Sequence, residues 1–142
     1  MNNDLKTISV LFRATNTIQK IINEDVSQYG LNPTEFGALE VLYHKGPQSV
    51  QSICDKVLIA SSSMSYVIEN LIKKDYITKV KQRDDKRIHI VHLTEIGKLL
   101  MDQIYPNHVR KLRDVLNILE SNEENELQNL LKKLGKQKGT KE

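Results

Sequence analysis

Two sets of side chains able to do chemistry lie close together in this 142-residue chain. The first is a run of small hydroxyls, Ser61, Ser62, Ser63 and Ser65, followed at once by Tyr66. The second is a run of cations: Lys73, Lys79, Lys81, Arg83, Lys86 and Arg87. No acidic residue interrupts the hydroxyl run before Glu69, so it can approach an anionic surface and donate hydrogen bonds to it. Residues 73–87 carry seven Lys/Arg against three Asp, and residues 132–142 carry five Lys against one Glu. The remaining residues hold nine basic and fourteen acidic side chains, although the net charge of the whole is only +3. Such an uneven distribution describes a polyanion-binding surface at 73–87 and a solvated lysine-rich tail at the C-terminus.

Rival chemistries find less support. Serine nucleophiles need a base and an orienting group beside them, and neither is evident. The chain also lacks a Gly-rich phosphate loop, a nucleophile elbow and a His/Glu pair of the metal-hydrolase type, so it is not expected to be an enzyme. His89 and His92 are three residues apart on an extended run and point to opposite faces. His44 and His108 have no Cys or carboxylate at ligand spacing, so no metal and no cofactor are expected. Cys54 shares an apolar stripe with Val50, Ile53 and Val57, which predicts a buried, unreactive thiol. Two alternatives stand beside the polyanion reading: a thiol-based redox sensor using Cys54, and a helical interaction module that does not bind DNA. A single cysteine fits a reducing cytoplasm. No apolar run approaches the roughly 18 residues of a membrane span, and Met1-Asn2-Asn3-Asp4 does not read as a secretory signal.

The elements that must position these residues are mostly helical. Leu5, Ile8, Leu11, Phe12, Ile18, Ile22, Val26 and Tyr29 recur at three- and four-residue spacing before Gly30. They predict a long amphipathic helix with more apolar surface than one small domain can cover. Asn32-Pro33-Thr34-Glu35 predicts the start of a second helix, with Asn32 as cap, Pro33 in its first position and Glu35 closing a capping box. Phe36, Leu39, Leu42 and Tyr43 face its core side, and Gly46-Pro47 ends it. Residues 49–58 predict a third, short helix. Met64, Val67, Ile68, Leu71 and Ile72 form the stripe of a fourth, capped by Ser61, with the serines and Tyr66 turned outward.

After Asp75 the period changes. Residues 76–81 and 88–93 are β-branched runs flanking a charged tip, Arg83-Asp84-Asp85-Lys86-Arg87. Thr94 caps a fifth helix, expected to kink at Pro106, and Ser121-Asn122-Glu123-Glu124 opens a sixth as a capping box. Two short helices in tight succession followed by a basic hairpin form a winged helix-turn-helix. The expected fold class is therefore mainly α with a small β-hairpin wing.

At Asp85-Lys86-Arg87, followed by Val91-His92-Leu93-Thr94-Glu95-Ile96-Gly97, the chain resembles the MarR family of bacterial transcriptional regulators, whose wing reads D-x-R and then V-x-L-T-x-x-G. The resemblance covers nearly the whole chain. Residues 30–36 (Gly-Leu-Asn-Pro-Thr-Glu-Phe) and 42–46 (Leu-Tyr-His-Lys-Gly) are similar to the methylhydroquinone-responsive repressors of that family. Lys81 departs from the pattern, since many members carry Arg there.

The resemblance implies one chain domain, 1–142, with dimerisation helices at 1–30 and 95–135. It implies a DNA-binding lobe at 31–94 and leaves a basic flexible tail at 136–142. It further implies a cytoplasmic, nucleoid-associated homodimer that binds a pseudo-palindromic operator in double-stranded DNA, with no membrane partner. Ser61, Ser62, Ser63, Ser65 and Tyr66 would then face the major groove. Lys73, Lys79, Lys81, Arg83 and Lys86 would neutralise phosphates, while Arg87, held by Asp85, would reach the minor groove. A small phenolic or quinone-type effector would release the DNA, with Phe12, Phe36, Tyr43, His44 and Tyr105 as the candidate residues of its pocket.

Overall fold

The computed structural model describes residues 3–58 and 63–137, which group into two compact units, one within 1–106 and one within 107–142. After a 3₁₀ turn at Asn3–Leu5 come α1 (Lys6–Ser27), α2 (Pro33–Lys45), β1 (Gln48–Ser49), α3 (Val50–Lys56) and α4 (Met64–Lys73). The order continues with β2 (Ile77–Lys81), β3 (His89–Leu93), α5 (Glu95–Leu116) and α6 (Ser121–Gly135). The strands form one antiparallel sheet in the order β1-β3-β2, with Ile77 opposite Leu93 and Lys81 opposite His89. No helix among the described residues is long and apolar enough to cross a membrane.

The winged helix-turn-helix is thus as the sequence predicts, with one strand added. β1 is only two residues long, and Gln48 and Ser49 pair with Val91 and Ile90. Such a stub carries no alternating pattern for a sequence reading to detect. Asn32 caps α2 as expected: its side chain accepts from the Glu35 N–H at 2.8 Å, and Glu35 Oε1 accepts from the Asn32 N–H at 2.9 Å. Gly46 ends that helix at φ 78°.

Several local expectations are corrected. Ser63, not Ser61, occupies the cap position of α4, and it makes no side-chain cap bond; Ser61 and Ser62 lie outside the described residues. The cap of α6 is Glu120, paired reciprocally with Glu123, so Ser121 is already helical. Cys54 is exposed rather than buried. The reason is that α3 has only seven residues and buries just Ile53 completely, which turns the next position, about 100° further round, toward solvent.

The core of the first unit is a cluster that includes Phe36, Leu39, Ile53, Val67, Ile68, Leu71, Ile77, Val91, Met101 and Ile104. Three of its members belong to α4. A ten-residue helix is marginal alone, but each fully buried Val, Ile or Leu contributes about 1.5–3 kcal/mol. That outweighs the missing cap, worth about 1 kcal/mol. By contrast, α1 buries only Asp25 and Val26, leaving Ile8, Phe12 and Ile18 exposed along with Leu5 just before it, and α6 buries nothing.

The end of α4 is built with unusual care. Asp75 adopts φ 63°, the Asp75 N–H donates to the Ile72 carbonyl and the Tyr76 N–H donates to the Leu71 carbonyl, which together make a Schellman turn. Thr94 Oγ1 donates to the Asp75 carbonyl at 2.6 Å and accepts from the Gly97 N–H at 3.0 Å. Gly97 is buried, and a Cβ there would sit 2.2 Å from the Tyr76 carbonyl oxygen. The L-T-x-x-G stretch therefore docks the start of α5 onto the end of α4. Gly97→Ala is expected to cost about 3 kcal/mol in urea unfolding. Asp75→Gly is expected to add about 1 kcal/mol, because glycine adopts the left-handed conformation without strain. A Gly97→Ala protein as stable as its parent would contradict the contact.

Candidate nucleic-acid interface

The surface proposed for polyanion binding is assembled from α4 and the β2–β3 hairpin. Helix α4 turns Val67, Ile68 and Leu71 inward and packs Met64 and Ile72 beside them, so Ser63, Ser65, Tyr66 and Lys73 are left exposed. Tyr66 is 62% exposed. An aromatic ring that open to water can meet an external partner.

The hairpin keeps its apolar contact at one end. Ile77 is buried, whereas Thr78, Lys79, Val80 and Lys81 are all exposed. Beyond Lys81 the Gln82 N–H donates to the Ile88 carbonyl, and the Ile88 N–H donates back to the Asp85 carbonyl, closing the tip. Asp85 then organises Arg87. Its Oδ1 accepts from the Arg87 backbone N–H and from Nε, and its Oδ2 accepts from Nη2, all at 3.0 Å. The Arg87 side chain nevertheless remains 91% exposed. This arrangement holds a guanidinium in a fixed direction while keeping it open to solvent.

The other cations differ in how they are held. Lys79 Nζ lies 3.3 Å from Glu69 Oε1, which ties β2 to α4; both groups are partly exposed, so the pair contributes at most about 1 kcal/mol. Lys81, Arg83 and Lys86 are exposed along the hairpin and its tip. Lys74, which a sequence reading does not separate from Lys73, turns the other way and bonds Gly30 and Glu35. Its distinguishing signal, a buried carboxylate 39 residues upstream, is a tertiary one.

The residues expected around an effector are only partly brought together. Tyr43, His44 and Tyr105 form a ring cluster, with centroids 5.4 Å apart for Tyr43–His44, 5.7 Å for Tyr43–Tyr105 and 4.7 Å for His44–Tyr105. The Tyr43 hydroxyl donates to Asp102, and this bond holds its pKa above the ordinary tyrosine value. Burial, then the nearby Glu40 charge, raises that of Tyr105. An open cleft of about 510 Å³ adjoins, lined by Leu42, Tyr43, Leu93, Thr94, Glu95 and Lys98. Phe36 is 3% exposed and belongs to the core instead, and Phe12 stands 62% exposed on the first half of α1. Among the described residues no group of three or more His, Cys, Asp or Glu could hold a metal ion.

Arg87 lowers the Asp85 pKa, chiefly through its side-chain bonds and then through its backbone N–H. The pair is therefore fully formed above the ordinary aspartate pKa and is lost only as pH falls through the still lower folded value. It stays charged throughout about pH 5–8. Arg87→Ala should raise the Asp85 pKa toward the ordinary value, as read by carboxyl NMR titration. An unchanged titration would show that the fork does not persist in solution.

Comparisons with known proteins point one way. The family profile described as "Transcriptional regulator SarA/Rot" matches residues 18–104. The HTH-type transcriptional regulator MhqR of Bacillus subtilis is 37% identical over 131 residues, covering 92% of this chain and 90% of that protein. A MarR-like transcription regulator from Bacillus cereus superposes with a TM-score of 0.83 at 23% identity, covering 93% of this chain and 95% of the other. The S. aureus MepR–DNA complex superposes with a TM-score of 0.76 at 19% identity, covering 89% and 94%, which is a likeness of fold.

Proposed function

The chain belongs to the MarR/SarA family of winged-helix, DNA-binding transcriptional regulators, and on that premise we propose that it is a homodimeric repressor. Its α4 helices would enter successive major grooves of a pseudo-palindromic operator, about 34 Å apart. The observation that carries this reading is the exposed Ser63–Ser65–Tyr66 face of a helix whose other side is locked into the core. Serine reads base edges ambiguously, so the wing must share the work of discrimination. Arg87, aimed by Asp85, would read minor-groove shape, while Lys73, Lys81, Arg83 and Lys86 would neutralise phosphates. Lys79 would join them by exchanging Glu69 for phosphate.

Dimerisation through the terminal helices is supported by their uncovered apolar residues. At the N-terminus these are Leu5, which precedes α1, and Ile8 and Phe12 on it; on α6 they are Leu127, Leu130, Leu131 and Leu134, all between 40% and 62% exposed. A neutral phenolic or quinone-type effector suits the aromatic cluster beside the open cleft. Tyr43, His44 and Tyr105 offer ring faces, and Asp102 offers a carboxylate able to accept from a phenol. Such a ligand would favour a dimer with the wrong spacing of recognition helices. Exposed Cys54 keeps a second reading open, in which oxidation of that thiol modulates the same DNA binding.

A mobility-shift titration on the DNA upstream of the gene, at two salt concentrations, tests the proposal. Affinity should fall steeply with salt, by about 0.9 in log–log slope for each phosphate contact. Asp85→Asn should weaken operator binding severalfold even though it makes the protein more positive, and methylhydroquinone should release the wild-type complex. Tighter operator binding by Asp85→Asn would show that the wing acts through charge alone. Failure of any phenolic or quinol compound to release the DNA would remove the effector assignment.

A further inference from the structure

We propose that Lys74 is a positioning residue for operator recognition, whose ammonium anchors the C-terminal end of α4 to the α1–α2 turn instead of contacting DNA. The inference rests on α4 being the helix that reads DNA. Lys74 Nζ donates to the Gly30 carbonyl at 2.8 Å and to Glu35 Oε2 at 3.0 Å. The side chain of Glu35 is only 5% exposed, and its other oxygen is the one that closes the capping box of α2 at the Asn32 N–H. One carboxylate therefore fixes the start of α2 and the end of α4 together.

The two backbones that Lys74 joins are built alike. Gly30 has φ 75°, the Gly30 N–H donates to the Ser27 carbonyl and the Leu31 N–H donates to the Val26 carbonyl, the same Schellman pattern that Asp75 and Tyr76 make after α4. A Schellman turn sets the direction in which the chain leaves its helix. Lys74 lies at the cap of one such turn and bonds the carbonyl of the left-handed glycine in the other. At the opposite end of α4, Ser63 provides no side-chain cap bond. Among the described residues, the side-chain ties of this segment to other elements are the Lys74 bonds at its C-terminal end and the Glu69–Lys79 pair.

The lever is long enough to matter. Ten residues of helix span about 15 Å, so a 10° pivot about the anchored end moves Ser63 and Ser65 by roughly 2–3 Å. Base readout tolerates displacement of only about 0.5 Å. Phosphate attraction is far less sensitive to such a pivot, because it depends on charge and only loosely on orientation. Loss of the anchor should therefore weaken binding to the operator and spare binding to unrelated sequence.

Lys74→Met and Glu35→Gln change the net charge in opposite directions, which separates positioning from electrostatics. The full-length variants would be titrated by mobility shift against the upstream fragment and against a random duplex of equal length, over several salt concentrations. Both should lose about tenfold in operator affinity, the order of one mismatched base pair, with random-duplex affinity within about twofold and the salt slope unchanged. Lys74→Arg, which keeps the charge and the donors, should restore operator binding. A shallower salt slope with operator and random duplex weakened in parallel by Lys74→Met would make Lys74 a phosphate contact and overturn the inference. Unchanged operator affinity in either variant would overturn it as well. If Lys74→Met fails to fold by circular dichroism, the sign of the Glu35→Gln effect decides: tighter operator binding contradicts positioning, weaker binding supports it. A wild-type protein that does not prefer its operator over random duplex would strike the α4 assignment itself, a result distinct from a silent Lys74.

Discussion

One hydroxyl, that of Thr94, closes both the end of α4 and the beginning of α5. It donates to the Asp75 carbonyl and accepts from the Gly97 N–H, while the Thr94 N–H donates to the Tyr76 carbonyl. Each of these bonds contributes only about 1 kcal/mol. Their effect is geometric: the turn at 74–76 becomes a fixed corner from which α4, the hairpin and α5 leave in set directions. The absence of a side chain at Gly97 lets the α5 backbone reach that corner. Lys74 ties the corner to the α1–α2 turn as well. If the serine face of α4 reads DNA as proposed, it needs such rigidity, because short side chains cannot compensate for a misplaced backbone.

The cations divide by the work their partners do. Lys74 and Lys79 bond carboxylates on other elements and so help to place α4 and β2. Arg87 bonds a carboxylate two residues away, which aims it without taking it out of solvent. Arg83 and Lys86 are exposed at the tip of the hairpin. A count of charges over 73–87 gives them all equal weight, yet Lys74 and Lys79 have carboxylate partners on other elements, and Lys79 must leave Glu69 before it can meet a phosphate.

How much of this was legible in the sequence depended on the range of the interaction. The α4 stripe, the Asn32–Glu35 capping box and the two hairpin strands obey local periodicities, and the structure contains them all. β1 was invisible because two residues carry no period. Glu120 escapes a search for caps because the neighbouring Ser121 is the commoner cap type. The Cys54 stripe failed because α3 is too short to bury one side evenly. Phe36 is legible as a core residue of α2, and the structure buries it there. The left-handed Asp75 escaped a scan that looks for glycine, and the docking of Thr94 and Gly97 depends on contacts 19 and more residues apart, which no local pattern reveals.

In the proposed complex α4 and the hairpin tip meet DNA together. Amide hydrogen exchange, measured with and without a duplex carrying the upstream sequence, tests it most directly. New protection is expected to concentrate at residues 63–73 and 81–88, with the interior of α2 unchanged because it is already buried. Formation of a tight complex with no added protection in either segment would contradict it.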